Sequence, residues 1–382
     1  MKVINVRGGT IESSYVKMMG GLEEQFLKLN GKLKPNFSVI YSNEPINKRE
    51  VVLFEKEMNK DNESLIILSN SYLQYIKEYI ELILQEKKKD KNLIVHVHFS
   101  PLSNITIPIT RILGVKNIYW TKHSKMMKEK YTKSWFISKI TGFFVKHIIC
   151  VSNAVEKEAQ ELNLDYNRTT VIPLGVNIDR YSNLIPKEKK MNIQSELKIN
   201  PDDFVITIVA QQRPEKKVEI FIKAFASFIK NNKIDNAVGL ILGGGPLQDE
   251  NIQLAKDLEI YDSLRFTGTR SDVDIVYSVS NIAGLTSETE ALGLALLEAC
   301  ASSLALFGSN VGGIPEVIKE GYNGFLFEAA DYEALSEIFK KYYFDKNLRE
   351  EFGKNSFKYV LENYEMNNCC DRLISHYKEC VN

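Results

Sequence analysis

Short β-rich runs alternate with helical stretches along the whole chain, and that alternation narrows the possible folds more than any other feature. "KVINV" (2–6), "FSVIY" (37–41), "NLIVHVHF" (92–99), "NIYWT" (117–121), "HIICVS" (147–152) and "TVIPL" (170–174) read as strands, with helical stretches such as 20–30 and 64–89 between them. The second half repeats the theme in "DFVITIVA" (203–210), "VGLILGG" (238–244), "LRFTG" (264–268), "NIAGLTS" (281–287) and "LALFGS" (304–309). Strands separated by helices of this length imply parallel sheets covered on both faces, and so two doubly wound α/β domains. With 382 residues the chain is also too long for one ordinary core. The break is expected after "VIPLGVN", giving a first domain over 1–175, a linker over 176–200 and a second domain over 201–365. The tail 332–363 reads as helical, and 366–382 as one more helix that packs back on the first domain. Ligands of open parallel sheets bind beyond the carboxyl ends of the strands, so the two domains are expected to face each other across a cleft.

Composition excludes several classes. The chain is 44% hydrophobic and 26% charged, which suits a globular protein. No apolar run approaches the roughly 18 residues that a membrane span needs. The opening "MKVINV" reads as a strand and not as a signal peptide. Five cysteines, an odd number without a C-x-x-C pair, point to reduced thiols, a cytoplasmic setting and no zinc. Net charge is zero overall but uneven: residues 1–175 carry 26 Lys and Arg against 18 Asp and Glu, and the remainder 23 against 31. The basic half suits an anionic partner, whether a membrane surface, a phosphorylated substrate or nucleic acid; ordinary surface variation is the plainer reading.

"TSETEALGLALLEACA" (286–301) carries the most chemistry. Its apolar helix starts near Gly293, yet Glu298 interrupts it and Glu290 stands just before it. A helix N-terminus offers free N–H groups and partial positive charge, so it receives anions, and glycine there lets backbone approach a ligand. Helical side chains lean toward the N-terminus, which brings Glu298 near the same opening. Carboxylates beside a diphosphate are repulsive unless they accept hydrogen bonds from hydroxyls, so the pair suggests a ribose and a second sugar. Both acids facing solvent is the competing reading. Lys216, after a strand and at a helix start, suits leaving phosphates. Gly244 lies in the "GGGPL" turn (243–247) after another strand, where backbone can come close to a base or phosphate. "VGGIPEVIKEGYNGFLF" (311–327) adds Gly312 and Gly313.

The spacing Glu290-x7-Glu298 followed by "GGIPEVI" and "NGFLF" resembles the retaining family-4 glycosyltransferases of the GT-B fold. The resemblance extends through "GGLEEQFLKL" (20–29), "HVH" (96–98), "WTKHS" (120–124), "CVSNAVEKE" (150–158), "VIPLGVNIDRY" (171–181) and "RPEKKVE". It implies a nucleotide-sugar donor, with UDP the commonest base in the family, held by the second domain, and a glycan or lipid-linked acceptor held by the first. Glu298 would bind the ribose, Glu290 the transferred sugar, the amides of Gly293 and Leu294 the phosphate, and Lys216 the leaving diphosphate. His123 would sit near the transferred sugar, with Gly20 and Gly21 lining the phosphate side. Transfer would retain anomeric configuration in the synthesis of a surface polysaccharide or glycolipid, without metal or other cofactor. Two positions depart from the family: Gln211 replaces an arginine, with Arg213 two residues later as its candidate substitute, and Ala291-Leu292 replaces Gly-Phe.

Other motifs have bland alternatives. "SDVD" (271–274) contains a D-x-D but opens a helix, where Ser271 or Asp272 is expected as N-cap and no metal is called for. His96 and His98 share one strand face, and without an apparent third ligand an acceptor contact is expected of them. His147 is expected to be structural and His376 to lie on the surface. Residues 122–147 carry seven lysines against one acid, interleaved with Trp135, Phe136, Phe143 and Phe144. Such a segment suits an anionic membrane, placing the enzyme on the inner membrane face; the alternative packs its aromatics inward. No nucleic-acid module accompanies the charge. A nucleotide-sugar 2-epimerase of similar architecture, an NAD-dependent oxidoreductase and an idle binding module are the rival functions; "VRGGTIESS" lacks the G-x-G-x-x-G spacing that the oxidoreductase requires.

Overall fold

A strand buried at every position needs cover on both faces, and the central strands of this chain are of that kind. Ile94–Val97 and Ala237–Leu242 are buried throughout. The structure is a computed structural model, described here for residues 1–7, 20–33, 37–42, 65–68, 72–98, 103–123, 133–161, 168–182 and 185–381. Its contacts divide the chain into two units, Met1–Gly175 with Met366–Asn382, and Val176–Glu365.

The first unit holds β1 (Val3–Arg7), β2 (Phe37–Ser42), β3 (Leu65–Leu68), β4 (Ile94–Val97), β5 (Asn117–Lys122), β6 (His147–Cys150) and β7 (Thr169–Val171). They form a parallel sheet in the order β3-β2-β1-β4-β5-β6-β7. The second unit holds β8 (Phe204–Val209), β9 (Ala237–Leu242), β10 (Leu264–Gly268), β11 (Ile282–Leu285), β12 (Ala305–Ser309) and β13 (Gly324–Phe327). These are also parallel, in the order β10-β9-β8-β11-β12-β13. Both are Rossmann-like, and strand order reverses between β1 and β4 and between β8 and β11. That reversal opens a crevice at the carboxyl ends of those strands.

Two sequence expectations need correction. Residues 64–89 are not one helix, because "LIIL" pairs as β3 and the helix runs only over Tyr72–Lys89. A four-residue apolar run cannot be told from a helix turn by periodicity alone. Residues 176–200 are not a linker. They form the helices Ile178–Ser182 and Lys187–Glu196 inside the second unit, where Ile193, Leu197 and Ile199 are buried. Arg265 Nε donates to the Leu197 carbonyl at 2.7 Å and Arg270 pairs with Glu196 at 2.5 Å, which anchors a stretch whose lysines had suggested solvent. The tail 332–363 is helical as expected, in two helices, Tyr332–Phe344 and Lys346–Asn363, the second started by Asp345, whose carboxylate accepts from the Leu348 amide at 2.9 Å.

The second unit's core is aromatic. Phe221 stacks on Phe225 and Phe307, and Phe339 meets Phe221, Phe228 and Phe307 edge-on. Each such ring contributes about 1.5–3 kcal/mol by leaving water. The helix Met366–Val381 belongs to the first unit. A side chain at Gly175 would strike the Met366 backbone, and Lys32 pairs with Asp371 at 2.5 Å.

Candidate functional site

In the second unit the site grows from the two strands that flank the reversal. Beyond β8 the chain enters a 3-10 turn, Pro214–Lys216, and Lys217 turns left-handed (φ 49°) to start the helix Val218–Asn232. Beyond β11, the Thr286 hydroxyl lies within hydrogen-bond distance of the carbonyls of Lys216 and Lys217, at 3.0 and 2.9 Å. The Glu288 amide donates to the Glu215 carbonyl at 2.8 Å. These bonds tie the two loops together, and the charged side chains follow: Lys216 Nζ meets Glu290 Oε2 at 2.5 Å. The Ser287 hydroxyl lies 3.4 Å from the same oxygen. Both ion-pair partners are mostly shielded from water, which strengthens their attraction over that of an exposed pair.

Glycines hold this loop by close approach. A side chain at Gly312 (φ 55°) would strike the Glu290 carbonyl, and one at Gly313 the Ala291 carbonyl. The Gly313 amide donates to the Glu290 carbonyl at 3.0 Å. Gly293 takes φ 91° immediately before the helix Leu294–Ala301, so Gly293 and Leu294 stand at its opening as expected. In the third loop the constraint falls beside the residue picked from sequence. Gly243 (φ 120°) abuts the Ala210 carbonyl, whereas Gly244 has only ordinary contacts. Gln212, unremarked in the sequence, is buried and braces this turn. Its Nε2 donates to the Gly243 carbonyl at 2.8 Å, and its Oε1 accepts from Asn251 at 2.9 Å. Arg213 adopts extended backbone at the turn entrance, half-buried, and Gln211 beside it is half-buried too.

Glu298 is half-buried and has a partner that sequence did not supply. The Tyr181 hydroxyl is hydrogen-bonded to it; burial, then the Glu298 charge, holds that phenol well above its ordinary range. Burial and the same carboxylate raise Tyr277, whose hydroxyl donates to the Ala295 carbonyl at 3.0 Å. In "SDVD", Asp272 holds the N-cap position as expected, without a side-chain capping bond. Asp272 precedes the helix Val273–Tyr277, but its carboxylate is taken by Arg270 at 2.7 and 2.8 Å.

In the first unit, His98 follows β4, His123 follows β5, and Gly20 and Gly21 open the helix Gly20–Leu33. His98 Nδ1 lies 3.0 Å from His123 Nε2, and His98 Nε2 lies 2.9 Å from Asn5 Oδ1. His96 shares the face with His98, ring centroids 4.0 Å apart, but its position corrects the acceptor reading. It is fully buried with both nitrogens taken, one by Tyr377 and one by Thr121, each at 2.5 Å. Burial first, then the neighbouring histidines, holds it well below the usual imidazole range and therefore neutral. His376 is half-buried and not on the surface, with its ring edge-on to His147 at 5.0 Å. His147 in turn stacks on Tyr119, as a structural residue would. Among the described residues, no three His, Cys, Asp or Glu side chains could hold a metal ion, and no helix is long and apolar enough to cross a membrane.

Two family models match the chain. "Glycosyltransferase Family 4" matches residues 51–180 and "Glycosyl transferases group 1" matches residues 189–359. The chain is a family-4 glycosyltransferase. The galactosyltransferase of Escherichia coli named for UDP-Gal and alpha-D-GlcNAc-diphosphoundecaprenol is 28% identical to it over 324 residues, 81% of each chain. The N-acetyl-alpha-D-glucosaminyl L-malate synthase of Bacillus anthracis is 29% identical over 50% of this glycosyltransferase and 49% of its own length. Among solved structures, the Anabaena protein HepE in complex with UDP superposes with a TM-score of 0.81 over 99% of this chain and 100% of that one, at 16% identity. The lipopolysaccharide glycosyltransferase WaaG superposes with a TM-score of 0.69 over 97% and 98%, at 15% identity. The glycosyltransferase fold is GT-B.

Proposed function

We propose that this glycosyltransferase takes a sugar from a UDP-sugar and transfers it, with retained anomeric configuration and without metal, to a lipid-linked or glycan acceptor in the synthesis of a cell-surface glycan or glycolipid. The observation that carries the reading is the Lys216–Glu290 pair at the β8–β11 reversal, close in sequence to the helix that opens at Gly293. The helix N-terminus and Lys216 supply the positive charge that a departing diphosphate needs, with Arg213 on the same loop; this charge replaces what a metal would give. Glu290 accepts hydrogen bonds from hydroxyls of the transferred sugar and Glu298 from the ribose. His123 of the first unit meets the transferred sugar. The leaving phosphate takes the acceptor's proton on the same face, so the protein contributes positioning and charge stabilisation and no covalent nucleophile.

The UDP and lipid-linked parts draw on the relatives: HepE is solved with UDP and with UDP-glucose, and the name of the E. coli relative carries UDP-Gal and a diphosphoundecaprenol acceptor. A peripheral place on the cytoplasmic membrane face is supported by the helix Lys133–Phe144. Its Phe136, Ile140 and Phe143 form one helical stripe and are 58%, 46% and 78% exposed, beside exposed Lys139. Phe136 and Phe143 thus do not pack inward, whereas Phe144 is half-buried; residues 124–132 and the Trp135 side chain lie outside the described residues.

Calorimetry with UDP, GDP and ADP, each with EDTA present, tests the donor site. Micromolar binding of UDP that collapses in Glu298→Ala supports the reading; binding of none of the three removes it. Flotation with anionic vesicles that is unchanged by Phe143→Ser removes the membrane part.

A further inference from the structure

Two histidines of the first unit, His98 and His123, form a hydrogen-bond chain whose far end is an asparagine. β1 and β4 pair with Asn5 beside His96, so the Asn5 side chain lies on the face that carries His96 and His98. Asn5 and His98 are buried, at 0% and 2% exposure. Asn5 Oδ1 can only accept, so His98 must donate from Nε2 at the 2.9 Å contact. A neutral imidazole with its proton on Nε2 has its lone pair on Nδ1. A neutral His98 thus accepts at Nδ1 over the 3.0 Å contact, and His123 then donates from Nε2.

We infer that Asn5 and His98 are positioning residues that fix His123 as the neutral Nε2–H tautomer, with its lone pair on Nδ1. Asn5 Nδ2 is buried with no hydrogen-bond partner. A buried amide that leaves its N–H groups unsatisfied destabilises the fold, and a Leu or Val would sit better on that sheet face. What the amide supplies is the oxygen, and the oxygen sets the direction of every proton after it. Turning the carboxamide over would reverse each donor and leave His123 protonated on Nδ1. His98 is itself held in place, with the Phe26 ring edge-on at 5.2 Å and the His96 ring at 4.0 Å. The neutral state of His96 keeps charge away from the chain. A fixed tautomer matters because an imidazole that accepts a hydrogen bond at Nδ1 and one that donates there treat a sugar hydroxyl in opposite ways.

The catalytic consequence rests on the proposed contact between His123 and the transferred sugar; the tautomer itself does not. Long-range 15N–1H correlation spectra of the 15N-histidine-labelled full-length protein read both ring nitrogens of all five histidines directly. The expected result is an Nε2–H tautomer for His98 and His123 in the wild type, and a mixed tautomer for His123 in His98→Leu. Turnover by His98→Leu is expected to fall on the order of 10- to 100-fold with little change in donor KM. His98→Asn, whose Oδ1 can still accept from His123, is expected to restore most of that loss, which a purely packing role would not predict. An Nδ1–H tautomer for His123 in the wild type, or a spectrum of His123 that His98→Leu leaves unchanged, overturns the inference. If the spectra behave as expected but His123→Ala turns over like wild type, the positioning role is overturned through the function given to His123, with the hydrogen-bond chain intact.

Discussion

Both sheets place their polar side chains at the carboxyl ends of strands beside a reversal of order, yet the two sets differ in kind. In the second unit they are charged, Lys216 against Glu290, on loops braced by Thr286, Gln212 and Gly312. In the first they are imidazoles and an amide, Asn5 and His98 buried and His123 half-buried, joined by hydrogen bonds that on the inference above are all donated from the His123 end toward Asn5. Charge suits a group that must receive a diphosphate, and a buried neutral network suits one that must present a single hydrogen-bonding pattern. The same architecture thus serves two chemistries, because the loops and strand ends can vary while the sheets do not.

The largest expected effect tests that division directly. Lys216→Ala should lower turnover about 10²–10³-fold, as loss of one transition-state charge partner does. His123→Ala should reduce turnover while leaving UDP affinity nearly unchanged by calorimetry; an equal loss of UDP affinity in both variants would break the comparison. Next in size is Gly312→Ala, which forces a side chain into the Glu290 carbonyl at a left-handed backbone position. Activity should drop on the order of tenfold or more while far-ultraviolet circular dichroism stays native. Tyr181→Phe removes one phenol bond to Glu298 and should weaken UDP binding about fivefold, from a net hydrogen-bond contribution of about 1 kcal/mol. The smallest effect concerns acid stability of the first unit. Burial first, and then the His376 charge, lowers His147 from 6.5 to about 4. The unfolded chain therefore takes up a proton below about 6.5 that the folded chain refuses until about 4, so stability falls as pH drops through that window. His147→Gln should narrow the difference in melting temperature between pH 7 and pH 5; an unchanged difference would remove His147 as its source.

How legible these features were depends on the distance in sequence over which they are decided. Glu290, Gly293 and Glu298 lie within nine residues, and their relation to a helix start follows from helical geometry alone. Lys216 was legible as a residue at a strand-to-helix turn, but its pairing with Glu290, 74 residues away, was not. His96 and His98 were placed on one face by the two-residue period of a strand, yet that both are buried, and what closes over His96, was invisible. Tyr377, 281 residues on, closes over His96 from a helix at the other end of the chain. Strands β3 and β13 escaped because four apolar residues carry too little periodicity, and 176–200 misled because a lysine-rich run with few apolar residues resembles a linker.

The sequence by itself determined the alternation of strands and helices, and with it two parallel Rossmann-like sheets, along with the turns that only glycine can make. These are local properties, set by backbone sterics and by the period of apolar residues over a few turns. Only the tertiary structure decided that Tyr181 meets Glu298, that Gln212 braces the glycine turn, and that Asn5 lies at the end of a histidine chain. Those partners depend on strand register and on which helix covers which sheet, and a shift of one residue in register turns every side chain to the opposite face.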